Sequence, residues 1–242
     1  MSSPILYQPP TTITEHFDWL RRRWAHSTLR GAALMTYLGA ATDDADADAQ
    51  LRNQGFSSFR RMLKAGLLRP DLTIAEIGCG AGRVATELVD YLTDGSYIGV
   101  DLSPQYIALC QQRCPAGRFL VTPGIGFPIE DATTDLVVEF TVFCHMTTEA
   151  VWLWMRDVVR VLRPGGCTYL QFHNIASENQ WQEFTTHADS HRFITDPGYP
   201  RPMEWATVER FHASVGLAID AVHGVDEDAG GPRSWFVVAR KT

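Results

Sequence analysis

The chain has 242 residues and a formal net charge of −7. An acidic balance of that size argues against tight, sequence-independent binding to a phosphate backbone, which needs a basic face that releases counterions. With 45% hydrophobic and 20% charged residues, the composition is that of a globular protein long enough to bury one sizeable α/β core.

The five cysteines (Cys79, Cys110, Cys114, Cys144, Cys167) are odd in number and form no CxxC pair, so they read as reduced thiols without a metal site. The N-terminus MSSPILYQPPTTITEHF lacks a basic stretch followed by an apolar core, and no window reaches the roughly 18 apolar residues of a membrane span. A cytoplasmic protein is the expectation.

In chain order, Thr12 and Glu15 fit a capping box opening a helix through EHFDWLRRRWAHSTLRGAALMTYL, with Phe17, Leu20, Trp24, Leu34, Tyr37 and Leu38 at helical spacing. Its Arg21, Arg22, Arg23 run reads as a solvated face. The acidic TDDADADAQ, 42 to 50, reads as a mobile loop. A second helix is predicted from about Gln50 to Ala65, closed by Gly66 and Pro70. We take residues 1–69 as a helical cap and 70–242 as the core of one compact domain.

From Leu72 the texture becomes an alternation of short apolar runs and amphipathic helices, the signature of a parallel sheet with crossover helices. TIAEI, SYIGVD, GRFLVT, TDLVVEF and CTYLQFH are the candidate strands. Helices fit at AGRVATELVDYL, SPQYIALCQQRC and TEAVWLWMRDVVRVL, the last capped by Thr147 or Thr148 and stopped by RPGG. The segment SENQWQEFTTHADSHRFITDPGYPRPMEW reads as a long aromatic and histidine-rich loop shaping a binding surface. A helix from about Met203 to Ser214 follows. GLAIDAVHG and RSWFVVARK, joined by a turn, look like an antiparallel pair added at the sheet edge. The fold class is therefore α/β: a Rossmann-like, doubly wound, seven-stranded sheet, mostly parallel with a C-terminal antiparallel strand, plus the N-terminal cap.

The stretch EIGCGAGR places Gly78, Gly80 and Gly82 at the end of the first strand, where doubly wound sheets bind nucleotides. A dinucleotide fingerprint GxGxxG would need a glycine where Arg83 stands. Glu76, two residues ahead of the first glycine, disfavours a diphosphate by like charge and favours a ligand with a cationic centre. Asp101 ends the next strand, 19 residues beyond Gly82, as expected of an acid that hydrogen-bonds a ribose diol. Ser103 and Pro104 open the following helix.

These residues resemble the class I S-adenosylmethionine-dependent methyltransferases. EIGCGAGR looks like that family's first motif and VDLSPQYIALC like its second. GFPIEDATTDLVVEFTVFCHM and VVRVLRPGGCTYL look like the segments around its fourth and fifth strands. The resemblance covers about residues 70 to 175 and implies a transferase using S-adenosyl-L-methionine and yielding S-adenosyl-L-homocysteine. It assigns the glycine turn (Gly78, Cys79, Gly80, Gly82) to the methionine moiety, Glu76 to its ammonium, and Asp101 with Leu102 to the ribose. Phe140 aligns with a position that touches the cofactor in relatives, and equally reads as core. The Asp that bonds the adenine amino group in many relatives is Pro123 here, which leaves adenine to groups near Gly124 and Ile125.

Methyl transfer from a sulfonium needs positioning more than proton chemistry. His145 and His173, just beyond the fourth and fifth strands, are the candidate bases, each also readable as structural. Cys79 and Cys144 read as small buried side chains, and no metal is expected. Trp152 and Trp154 fall on a sheet-packing helix, whereas Trp19, Trp24, Trp181 and Trp205 fall in regions that build an acceptor pocket in the family. The expected partner is a small organic acceptor, methylated at oxygen or nitrogen, with no nucleic acid and no membrane; a homodimer stays open. A nicotinamide-dependent oxidoreductase and a non-catalytic module of the same fold are the alternatives.

Overall fold

The computed structural model describes Glu15, Phe17, Asp18, Arg21, Arg22, Ala25 and residues 42–190 and 200–242. Glu15, Phe17, Asp18, Arg21 and Arg22 are helical, as the apolar spacing predicts, Ala25 is not, and the other residues of that expected helix, with Thr12, Trp19 and Trp24, lie outside the described residues.

The acidic patch is not a loop. Helix α1 spans Asp44–Lys64, opened by Asp43, whose carboxylate accepts the Asp46 N–H at 2.9 Å. Carboxylates in a first turn favour a helix because they face its positive end, so a run that reads as solvated is here a start signal. Asp48 also pairs with Arg113 at 2.6 Å, tying α1 to the core. At Gly55 the helix crosses Arg83 so closely that a Cβ would lie 1.8 Å from the Arg83 carbonyl oxygen.

Strands β1 (Thr73–Ile77), β2 (Ser96–Asp101), β3 (Arg118–Val121), β4 (Thr134–Glu139), β5 (Leu162–His173), β6 (Leu217–Asp228) and β7 (Gly231–Lys241) form one sheet in the order β3-β2-β1-β4-β5-β7-β6. The pairs from β3 to β5 are parallel, and β7 runs antiparallel to both neighbours. Alternate side chains of each strand feed opposite faces, as the pleat requires. Ala75, Ile77 and Val137 join the core under α4 (Thr148–Val161), and Ile74, Leu136 and Val138 join the core under α2 (Ala85–Tyr91) and α3 (Pro104–Arg113). Helix α4 buries Val151, Trp154, Met155, Val158 and Val161 along one stripe. Each such aliphatic burial stabilises by about 1.5–3 kcal/mol.

The segment expected as a long loop contains helix α5 (Glu178–Asp189), capped by Ser177. Asp228, at the β6–β7 turn, accepts from the Ser177 hydroxyl and the Glu178 and Asn179 N–H groups, so the hairpin pins the start of α5. Helix α6 (Trp205–Val215) ends at Gly216 in the left-handed conformation. Among the described residues no helix is long and apolar enough to cross a membrane.

Because the chain starts in the middle of the sheet, winds outward through β2 and β3, and then crosses back to β4, the connections leaving the paired carboxyl ends of β1 and β4 run to opposite faces of the sheet at the switch point. A crevice at that point is where doubly wound sheets take ligands.

Candidate active site

A cavity of about 560 Å³ opens at this point, its floor made by the ends of β1, β2, β4 and β5. Glu76, Gly78, Cys79, Gly80, Asp101, Leu102, Gly124, Phe140, His145 and His173 all line it. Ten of the twelve residues singled out in the sequence thus share one space. The other two stand behind its wall. A Cβ at Gly82 would face the Cys110 thiol and Arg113, so that glycine serves helix packing, and Ile125 packs on the core beneath α4.

The glycine turn is bare where it borders the cavity. Gly80 has φ +54 and an added Cβ there would meet nothing within 4 Å, so backbone rather than side chain faces the open space. Its N–H donates to Asp101 Oδ2 at 2.9 Å, and the Ser103 N–H donates to Oδ1 at 2.8 Å. Burial lifts the Asp101 carboxyl to about 6, while those N–H donors favour its ionised form. It is an anion at neutral pH with lone pairs left for a diol.

Glu76 is 3% exposed and accepts a short hydrogen bond from the Tyr97 hydroxyl. Burial raises its carboxyl to about 7, opposed by Tyr97 and by the charge of Arg83. The adjacent strand carries a second buried acid that sequence reading passed over. Glu139, raised by burial to about 7, accepts from the Val142 and Phe143 N–H groups on one oxygen and from the Gln171 N–H on the other. It fixes the turn that follows β4, from which Thr141, Val142 and His145 reach the cavity. Thr141 sits at φ +60, a conformation costly for a β-branched residue, and is held there by its hydrogen bond to Gln171.

At the far end the two histidines come together. The His173 pKa is pushed down to about 4, chiefly by burial and further by the nearby His145 and Arg233, so its imidazole is neutral at pH 7. Among the described residues its buried Nδ1 meets no partner in good hydrogen-bond geometry, although the Gln180 side chain lies close enough to oppose the shift. Arg233 and Glu183 pair at 3.4 Å beside it. Among the described residues between β5 and α6, Glu183 and Pro200 line the cavity, while Trp181 stands 49% exposed on α5, stacked on Phe184. Trp205 packs against Trp235. Phe140 belongs to an aromatic cluster with Tyr169 and Phe236 and shows the cavity one edge.

Two features escaped the sequence altogether. The Arg21 guanidinium is only partly solvated: its Nε donates to the Leu102 carbonyl at 3.1 Å, its NH2 reaches the Pro123 carbonyl at 3.4 Å, and its NH1 pairs with Asp18 at 2.6 Å. Trp154, read as core, lines the cavity.

This sheet order, with its antiparallel β7 at one side, defines a Rossmann-like methyltransferase fold. Residues 74–166 match the methyltransferase domain family, and the sequence and structural relatives support a class I S-adenosylmethionine-dependent methyltransferase family for this chain. It is 33% identical over 116 residues to phthiotriol/phenolphthiotriol dimycocerosates methyltransferase 1 of Mycobacterium ulcerans (strain Agy99), covering 46% of this chain and 40% of that protein. It is 26% identical over 126 residues to demethylmenaquinone methyltransferase of Chlorobaculum tepidum, covering 50% of this chain and 51% of that one. The chain thus spans about half or less of the length of these curated relatives. Magnesium protoporphyrin IX methyltransferase from Synechocystis PCC 6803 with bound SAH superposes with a TM-score of 0.67 at 15% identity, over 94% of this chain and 100% of that one.

Proposed function

We propose that the protein transfers the methyl group of S-adenosyl-L-methionine to an oxygen or nitrogen of a small organic acceptor. The observation that carries this reading is the pairing of bare backbone at Gly80 with two carboxyl groups, Glu76 and Asp101, on one cavity wall. That donor set fits a sulfonium nucleoside: an acid for a cationic amino acid end, an anion for a ribose diol, and no cluster of backbone and lysine donors for a diphosphate.

The bound cofactor supplies an activated methyl group on sulfur. In this reading Glu76 and the turn through Gly78, Cys79 and Gly80 hold its amino acid end, and Asp101 with Leu102 holds the ribose. Phe140 edges the same space. The acceptor enters from the side of His145, His173 and Glu183, and Arg21 braces the loops on the nucleoside side through the Leu102 and Pro123 carbonyls. A neutral imidazole at His173 is suited to orienting an O–H or N–H rather than to removing its proton, since a group of pKa about 4 is a weak base. Alignment of the nucleophile and exclusion of water carry the acceleration.

The test is mass spectrometry of a metabolite pool incubated with the protein and S-adenosylmethionine bearing a trideuterated methyl group. A small molecule gaining the labelled methyl supports the reading. Label confined to nothing but unreacted cofactor, with the cofactor bound, would favour a non-catalytic module.

A further inference from the structure

The cavity lining includes a donor that finds no acceptor among the described residues. Trp154 is 1% exposed, its ring lines the cavity, and its Nε1–H is buried without a hydrogen-bond partner. A buried N–H left unpaired costs about 1–3 kcal/mol, and a buried tryptophan normally finds an acceptor.

The loop after β3 lies along the same stretch of α4. The Phe127 N–H donates to Asp157 at 2.6 Å, and the Phe127 ring meets the Trp154 indole edge-on at 5.4 Å. Hydrogen-bonding groups in that loop are few. Pro123 has no side-chain acceptor, and the hydroxyl of Thr122 is engaged on both sides, donating to the Gly126 carbonyl at 2.9 Å and accepting the Gly124 N–H at 3.3 Å. Side chains here therefore offer a base no acceptor for an exocyclic amine, and α4 offers a donor. A heterocycle recognised here is read through an unprotonated ring nitrogen.

We infer that the Trp154 Nε1–H donates to a ring nitrogen of the cofactor's adenine, so that the base is recognised by that nitrogen rather than by its amino group. This rests on the methyltransferase reading above. Trp154 then sets specificity for the nucleoside and takes no part in the chemical step.

Calorimetric titration of S-adenosylhomocysteine, its 1-deaza, 3-deaza and 7-deaza analogues, and its 6-desamino analogue tests the inference, with wild type and Trp154→Phe side by side. In wild type, one deaza analogue is expected to bind at least tenfold more weakly than S-adenosylhomocysteine, and the desamino analogue within about threefold of it. In Trp154→Phe that deaza penalty is expected to vanish. Wild-type affinities equal across the deaza series would overturn the inference without reference to any variant. So would a penalty that persists in Trp154→Phe, which would assign the contact to backbone N–H groups. Failure of wild type to bind S-adenosylhomocysteine at all would instead remove the methyltransferase reading, and this inference with it.

Discussion

Arg21 donates its Nε–H to the carbonyl oxygen of Leu102, 81 positions further along the chain. Leu102 directly follows the acid at the tip of β2, and the same guanidinium reaches the carbonyl of Pro123 beyond β3. One cation from the N-terminal segment thus ties together two loops that border the cavity. Phe17, 3% exposed, packs where a Cβ on Gly124 would stand, 2.5 Å from its ring. Arg21→Ala should therefore weaken S-adenosylhomocysteine about fivefold, the equivalent of about 1 kcal/mol for a partly exposed charged hydrogen bond, measured by calorimetry. Unchanged affinity would make the bridge a matter of packing alone.

The acids predict a pH dependence whose sign is opposite to that of ordinary salt-bridged carboxylates. Glu76 and Glu139 at about 7 and Asp101 at about 6 are all raised above their unfolded values by burial. Between those unfolded and folded values the native chain binds more protons than the unfolded one, so the ligand-free protein should lose stability as pH rises from about 4.5 to 7. Thermal melts across that range check it. A cationic group beside Glu76 reverses the effect on that acid, because it favours the carboxylate. Affinity for S-adenosylmethionine should therefore climb as pH rises toward 7 and level off above it, with a proton released on binding. An affinity flat from pH 5.5 to 8.5 would contradict the pairing.

Gly80→Ala separates a turn that merely needs glycine from one that needs room for a ligand. A residue with a Cβ at φ +54 costs about 1–2 kcal/mol, yet the new methyl meets no protein atom within 4 Å. The variant should fold with a modestly lower melting temperature and bind S-adenosylhomocysteine at least tenfold more weakly. A lower melting temperature with wild-type affinity would place the ligand elsewhere.

His173→Phe keeps a ring in the cavity and removes its nitrogens. With an acceptor in hand, it should raise the acceptor's KM or lower kcat while leaving S-adenosylhomocysteine affinity within about twofold, and the wild-type pH–rate profile should show no inflection near 6.5 from this group. An inflection near 6.5 that disappears in the variant would instead make His173 a proton acceptor in the reaction.

The parallel strands and the glycine turn were legible because their signals are local: short continuous apolar runs, a strand-end acid, and a glycine spacing one residue short of a dinucleotide loop. The start of α1, from Asp44 to about Gln50, was misread because acids that solvate a loop also complement a helix start. Helix α5 was missed for a related reason. It buries Gln180 and His187 and exposes Trp181, so no apolar stripe marks it. Arg21 was taken as solvated since its carbonyl partners lie 81 and 102 positions away, a distance no local pattern spans. Glu139 did carry a signal, an acid inside the apolar run DLVVEF. Trp154 carried none, as its spacing on α4 is that of any core residue and only the orphaned N–H sets it apart.

Calorimetric titration of the wild-type chain with S-adenosylmethionine, S-adenosylhomocysteine and NAD, repeated with Glu76→Gln and Asp101→Ala, bears most directly on the identity of the ligand. Saturable binding of both sulfur nucleosides, no response to NAD, and a loss of at least tenfold in each variant are the expected results. Binding of NAD without the sulfur nucleosides, or variants that bind them as the wild type does, would contradict the account.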